Sequence, residues 1–333
     1  MHKNPIRYLK QLVAKAARLL HRQGEADTTS PDIPAVVERF INGRFTHRFG
    51  SRDYKLYLPP TAAGQPPSPR PLLLMLHGCN QTPDDFATGT RMNDAARAGG
   101  FLVLYPVQSA FANPHRCWNW FKHNHQQRDR GEAALLADLT QEVAQAHGVD
   151  PARVWVAGLS AGGAMAAVLG ETYPERFAAV GLHSGVPTGL ASDLFTAMSV
   201  MKSGPADTPP RAAAPPPTIV FHGDDDPVVH PANADAAMQR FDALGVRRTQ
   251  QGRTAQGVAY TCQQIRDGAG HVLAEQWTVR GAGHAWSGGS PQGTYTLPEG
   301  PDATAAMVAF FHALSRHRGR ARPTAPDAPR PAP

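Results

Sequence analysis

The chain predicts an α/β protein with a mostly parallel central sheet and helices on both faces. Apolar runs of strand length, "LLLMLHG" (72–78) and "FLVLYP" (101–106), end at Gly or Pro, as strands buried on both faces do. Segments of helical spacing separate such runs. The clearest is "GEAALLADLTQEVAQAH" (131–147), where Ala134, Leu135, Leu139 and Val143 share one face. This alternation continues through most of the 333 residues, whose 41% hydrophobic content suffices for a large core.

In chain order, Leu9, Leu12, Val13, Ala16, Leu19 and Leu20 recur at helical spacing, interrupted by Lys10, Lys15 and Arg18. No uninterrupted apolar stretch or small-residue cleavage site marks a secretory signal. Residues 1–49 therefore read as a basic amphipathic helix with a lead-in. That helix packs on the body or stays loose, with membrane contact the lesser alternative. "YKLYLPP" (54–60) reads as an edge strand and 59–70 as a Pro-rich connection. The central strand 72–78, a helical stretch near 90–98 and strand 101–106 follow. Strand 153–157, helix 161–171 and strands 177–183 and 218–222 come after the 131–147 helix. A late strand (271–279) and a closing helix (301–315) complete a body spanning 50–313. Residues 113–131, rich in Trp and His, and the Pro-rich 201–217 carry no regular pattern. The Arg/Pro-rich tail 314–333 is too poor in apolar residues to fold and is expected to be disordered.

The net charge of +6 is unevenly placed: residues 1–24 carry +6 and the tail from 313 carries +4, which leaves −4 on the body. A mildly acidic body without a helix-turn-helix or RNA-binding motif argues against nucleic acid as a partner. No apolar run approaches the ~20 residues of a membrane span. Three cysteines, Cys79, Cys117 and Cys262, are too few for a disulfide scaffold and allow at most one bridge. His115, His123 and His125 have no carboxylate at metal-site spacing, so neither a metal nor another cofactor is expected.

"VWVAGLSAGGAMAAVLG" (154–170) places Gly-Leu-Ser-Ala-Gly between an apolar strand and a small-residue helix. Such a strand-to-helix turn holds a serine in a strained conformation with its hydroxyl exposed, so Ser160 is the candidate nucleophile. The start of a helix also favours developing negative charge. A serine needs a base, and the base needs an orienting acid. Both are expected later in the chain, acid first. "TIVFHGDDDPVVH" (218–230) ends a strand in three aspartates. Asp226, on the return of the loop, is favoured over Asp224 and Asp225, which suit turn or capping positions. "VRGAGHAWSGG" (279–289) offers His284, favoured over His77, His222 and His230; His77 and His222 precede Gly at strand ends and suit structural hydrogen bonds. Oxyanion donors are expected at the backbone N–H of Ala161 and of Cys79, the latter in "LHGCNQT" after the early central strand.

"LHGCNQ", "YPVQ", "CWNWF", "GLSAGGAM", "FHGDDDPVV" and "GAGHAWSGG", in this order, resemble the poly(3-hydroxybutyrate) depolymerase-type esterases, a family with feruloyl and acetylxylan esterase-like members. The similarity covers roughly residues 50–313. It implies an α/β-hydrolase fold, the triad Ser160, Asp226 and His284, oxyanion donors at Cys79 and Ala161, and a disulfide between Cys79 and Cys117 that leaves Cys262 unpaired. It also implies hydrolysis of carboxylic esters, from polyester and its oligomers to small or plant-polysaccharide esters, in an extracellular or periplasmic setting. With no signal in view, the cytoplasm is the alternative. Trp118, Trp120 and Trp286 would offer flat apolar surface to substrate, or else pack the core. Oligomeric state is left unassigned.

Overall fold

The computed structural model describes residues 37–61, 68–207 and 215–320. The amphipathic segment expected near the N-terminus and the tail beyond 320 lie outside them. A ten-stranded sheet is built from β1 (Arg39–His47), β2 (Gly50–Leu58), β3 (Arg70–Leu76), β4 (Leu102–Pro106), β5 (Val149–Leu159), β6 (Ala179–His183), β7 (Thr218–Gly223), β8 (Val246–Arg253), β9 (Ala259–Arg266) and β10 (Val272–Val279). Its order is β1-β2-β4-β3-β5-β6-β7-β10-β9-β8. The six central strands, from β4 to β10, pair in parallel, and antiparallel pairs close both edges.

Alternation along the central strands divides the core. Leu72, Leu74, Leu76, Val154 and Val156 face one side, against Leu135, Leu139 and Val143 of α3 (Gly131–Ala146) and Met165 and Leu169 of α4 (Ala161–Thr172). Leu73, Met75, Trp155 and Ala157 face the other side. There they meet Phe86 of α1 (Pro83–Thr90), Met92 of α2 (Met92–Gly99), and Met307 and Phe311 of α7 (Ala303–Arg320). Trp155 stacks on Phe311 with ring centroids 5.4 Å apart. A strand clothed on both faces has no polar alternation, which is why the runs at 72–78 and 101–106 are continuous.

Several expectations change. The sheet begins at Arg39, so the folded body starts before residue 50. Residues 54–58 belong to β2, which is not an edge strand: it lies between β1 and β4. The helical stretch expected near 90–98 is α2, and a further helix, α1, precedes it. The closing helix continues to Arg320, so 314–320 is helical rather than disordered. The hairpin β8–β9 and the helix α5 (Leu194–Ser203) were not foreseen. Strand β8 is "VRRTQQGR", almost wholly exposed; its arginines guard a sheet edge against further pairing, and a polar edge strand has no apolar signature. Helix α6 (Ala232–Gln239) packs Ala234 and Met238 with Val220 of β7 and Ala274 of β10.

Candidate active site

Consecutive neighbours β3, β5, β6, β7 and β10 end at the same edge of the sheet, where α/β folds gather their chemistry. At the end of β5, Ser160 adopts φ 58° and ψ −120°, a region that costs a non-glycine residue about 1–3 kcal/mol. Its N–H donates to the His183 carbonyl at 2.8 Å, and its own carbonyl accepts from Ala164 N at 2.9 Å. The flanking glycines are required by close approach. A Cβ on Gly162 would lie 2.0 Å from the Leu76 carbonyl oxygen, and one on Gly158 would lie 2.4 Å from the Gly162 carbonyl carbon. The turn can form only if helix α4 starts directly against β3.

His284, beyond β10, donates from Nδ1 to Asp226 Oδ2 at 2.7 Å. That bond places the proton on Nδ1 and leaves Nε2 as an acceptor. Asp226 lies in the loop after β7. Its Oδ1 accepts from the N–H groups of Val228 and Val229, both at 2.9 Å. Burial alone would raise this carboxyl, but the His284 bond and the two amides bring it below the usual carboxylate range. Asp224 is engaged elsewhere: it accepts from Gly281 N at 2.7 Å and pairs with Arg280 at 2.8 Å, clamping the turn after β10.

The other strand-end histidines are held neutral by burial and serve as brackets. His222 donates from Nε2 to the Val229 carbonyl at 2.8 Å and lies 3.4 Å from Asp226 Oδ2. His77 accepts from Gln108 N at Nε2 (3.2 Å) and donates from Nδ1 to the Gly78 carbonyl (2.7 Å); burial pushes it down to about 4. His183 accepts from Ser287 N at 3.0 Å, sandwiched between Trp286 and Phe221.

In the loop after β3, Gly78 N–H is taken by Gln81 Oε1 (2.9 Å) and Asn80 N–H by the His115 carbonyl (2.7 Å). Cys79 N–H, between them, has no acceptor among the described residues. Ala161 N–H opens α4 and so lacks an intrahelical acceptor. Cys79 and Cys117 form a disulfide, with Cα atoms 4.3 Å apart, which ties this loop to the irregular 107–122 segment. Cys262 is a buried free thiol, pushed up to about 12 by burial.

Ser160, Ala161, Cys79 and Cys117 line a cleft of about 540 Å³. Its walls are mostly apolar and include Trp120, Phe121, Val186, Val229, and Met198 and Met201 of α5. Of the three candidate tryptophans, only Trp120 is here. Trp118 is fully buried and donates to the His77 carbonyl at 3.1 Å, and Trp286 is buried with its Nε1 on Thr304 Oγ1 at 3.1 Å. Both pack the core behind the site, which corrects the reading of them as substrate surface.

Sequence reading missed Glu132 and helix α5. Glu132, in the first turn of α3, accepts from Arg52 (2.9 Å), from Asn119 Nδ2 (3.0 Å) and N–H (2.7 Å), and from Gln108. Burial alone would raise its pKa; His125, Gln108, Asn119 and Arg52 together bring it down to about 2. It pins the loop carrying Cys117 and Trp120. The only hint was a lone charge opening an apolar helix. Helix α5 did carry a signal, with Asp193 and Thr196 forming a capping box and Gly204 closing the end.

This layout, with a strained strand-to-helix serine and a His–Asp pair from later strand ends, is that of the α/β-hydrolase class. The acetyl xylan esterase from Aspergillus awamori superposes with a TM-score of 0.64, covering 84% of this chain and 100% of its own at 17% identity. An esterase from Pyrobaculum calidifontis gives 0.52 over 93% of each chain at 15% identity. The protein has the α/β-hydrolase fold. Within that class, residues 52–259 match the family described as Esterase PHB depolymerase, and the protein belongs to this family. It is 31% identical over 232 residues to poly(3-hydroxyalkanoate) depolymerase C of Paucimonas lemoignei, covering 66% of this chain and 55% of the relative. It is 30% identical over 250 residues to poly(3-hydroxybutyrate) depolymerase of Ralstonia pickettii, covering 68% and 51%. Feruloyl esterase B of Thermothelomyces thermophilus is 26% identical over 234 residues, covering 63% of this chain and 79% of its own length. The chain thus spans about half the length of the two depolymerases.

Proposed function

We propose that the protein is a serine esterase whose triad is Ser160, His284 and Asp226. Its substrates are esters of short-chain hydroxyalkanoic acids, as polyester or as oligomers. The observation that carries this reading is the 2.7 Å bond from His284 to a buried Asp226, on the same sheet edge as a strained serine that opens into an apolar cleft. His284 takes the Ser160 proton at Nε2 as Oγ attacks the ester carbonyl. The N–H groups of Cys79 and Ala161 receive the oxyanion, and His284 returns the proton to the leaving alcohol. Water then releases the acid from the acyl-enzyme by the same route. Trp120, Phe121 and the α5 side chains exclude water and hold the aliphatic acyl chain. Asp226 holds the imidazole in the required tautomer.

A second reading, a feruloyl or acetylxylan esterase, is favoured on its feruloyl side by coverage, since feruloyl esterase B of Thermothelomyces thermophilus is matched over 79% of its length against 55% and 51% for the two depolymerases. The disulfide suits an oxidising compartment, extracellular or periplasmic. Among the described residues no helix is long and apolar enough to cross a membrane.

The test is a panel of p-nitrophenyl butyrate, 3-hydroxybutyrate oligomers, polyhydroxybutyrate film, methyl ferulate and acetylated xylan. Oligomers should be preferred, and Ser160→Ala should lower every rate by about 10⁴-fold or more while leaving the unfolding transition intact. Preference for methyl ferulate or acetylated xylan selects the second reading, and full activity of Ser160→Ala overturns both.

A further inference from the structure

Beside the apolar cleft lies a larger cavity of about 1100 Å³ that the acyl-transfer scheme does not use. The two meet at Ala112, Asn119 and Lys122, which line both. Their chemistry differs sharply. The second cavity is walled by five cations and three carboxylates. Two of the carboxylates are already matched: Asp53 by Arg44 at 2.9 Å and Glu132 by Arg52 at 2.9 Å. The third, Asp129, lies 4.0 Å from Arg128, which points to the neighbouring Glu175.

The cations left over are Arg48, Lys122 and Arg130. Arg48 donates to the backbone carbonyl of Asp129 at 3.0 Å and lies over the Phe49 ring. Neither Lys122 nor Arg130 has an ion pair with a carboxylate among the described residues. Arg52 is the fourth arginine of the wall. Its side chain is only 6% exposed, and its Nε is buried without a hydrogen-bond partner. Its charge is matched by Glu132, so Arg52 contributes to the wall of the cavity rather than to its surplus charge. Arg130 is also the N-cap residue of the 16-residue helix α3, whose first turn already carries Glu132. The wall thus carries a surplus of positive charge, and such a surplus concentrates anionic ligands.

We propose that this cavity binds the free carboxylate of a hydroxy-acid ester chain whose neighbouring ester bond lies at Ser160. The inference rests on the esterase reading above and narrows its substrate to chain ends that carry an acid. In a chain of hydroxy acids joined by esters, the free carboxylate always belongs to the alcohol side of the last bond. Attack by Ser160 Oγ on that bond's carbonyl breaks the bond to the alcohol oxygen. The proton passes through His284 to that oxygen, and the departing fragment is a hydroxy acid anion held by the cationic cavity. The remaining acyl chain stays in the apolar cleft until water adds. The arrangement favours trimming from the carboxyl end over cutting in mid-chain.

Two measurements test this with the full chain. In the first, Ser160→Ala is titrated by calorimetry with the 3-hydroxybutyrate trimer as the free acid and as its methyl ester, the two differing only in the terminal charge. Tighter binding of the acid by about 10-fold, shrinking as NaCl rises from 0.05 to 0.5 M, is the expected result. Equal affinity for acid and ester overturns the proposal, whatever the catalytic outcome. In the second, an Arg48→Gln, Arg130→Gln variant, altered at two cations that line only the second cavity, is compared with the parent. KM for the trimer acid should rise about 10-fold, with little change for the methyl ester or for p-nitrophenyl butyrate. A variant that leaves the trimer acid unaffected, or weakens all three substrates alike, overturns it. Failure to hydrolyse p-nitrophenyl butyrate strikes the esterase reading instead, and the binding comparison still decides the cavity.

Discussion

Ser160 is held at φ 58° by its neighbours, with glycines at 158 and 162 where a Cβ would collide with backbone. Of the three aspartates after β7, only Asp226 reaches an imidazole; Asp224 faces the other way, onto Gly281 and Arg280. Asp226→Asn should therefore lower kcat by about 10⁴-fold, because an amide cannot hold the same tautomer of His284. Asp224→Asn should change kcat by less than about 10-fold and act mainly on stability. Steady-state kinetics of the two variants on p-nitrophenyl butyrate check the assignment, and the reverse ranking would sink it. Ser160, Asp226 and His284 were all readable from strand-loop patterns, because each follows an apolar run at a fixed place. The tryptophans were not. Trp118, Trp120 and Trp286 look alike in sequence, and only packing separates the one that lines the cleft from the two that support it.

At the level of elements, the loop after β3 and the 107–122 segment act together because Cys79 and Cys117 join them across a separation of 38 residues. The chain-entropy estimate for a loop of that length is about 4 kcal/mol. Cys79→Ala with Cys117→Ala should lose up to that much in urea unfolding. It should also depress kcat more than KM, since the Cys79 amide loses the support that holds it ready for the oxyanion. An unchanged kcat in a folded variant would remove the loop's assigned role. The capping box of α5 was present in the sequence, yet its apolar residues gave no clear face, because Leu194 and Met198 line an open cleft instead of a core. Strands β8 and β9 escaped for the opposite reason: pairing at a solvated edge needs backbone hydrogen bonds and little apolar pattern.

Across the whole molecule, buried charge couples stability to pH. Glu132 is held at about 2 against an ordinary 4.5, so its contribution is complete above pH 4.5 and is lost as pH falls towards 2. His77 is held at about 4 against 6.5, so the unfolded chain takes up a proton first, and stability falls between pH 6.5 and 4. Each shift corresponds to about 3 kcal/mol at the limit, in the same direction. Urea unfolding should weaken continuously from pH 7 to pH 4. The deficit of Glu132→Gln relative to the parent should narrow below pH 4.5; a constant deficit would mean that the ionised carboxylate is not what holds the loop.

Local pattern was enough to establish the α/β class and the order of the central strands along the chain, and to nominate the three residues of the proposed triad. Each depends on short-range features: continuous apolar runs, helical spacing, and turns that require Gly. Tertiary structure alone decided that the sheet begins at Arg39, that β2 is internal, that Glu132 anchors the loop beside the cleft, and that a cationic cavity adjoins an apolar one. These depend on which distant residues share a space. Arg52 and Glu132 are 80 positions apart, and a charge in sequence does not reveal whether water or a buried partner surrounds it.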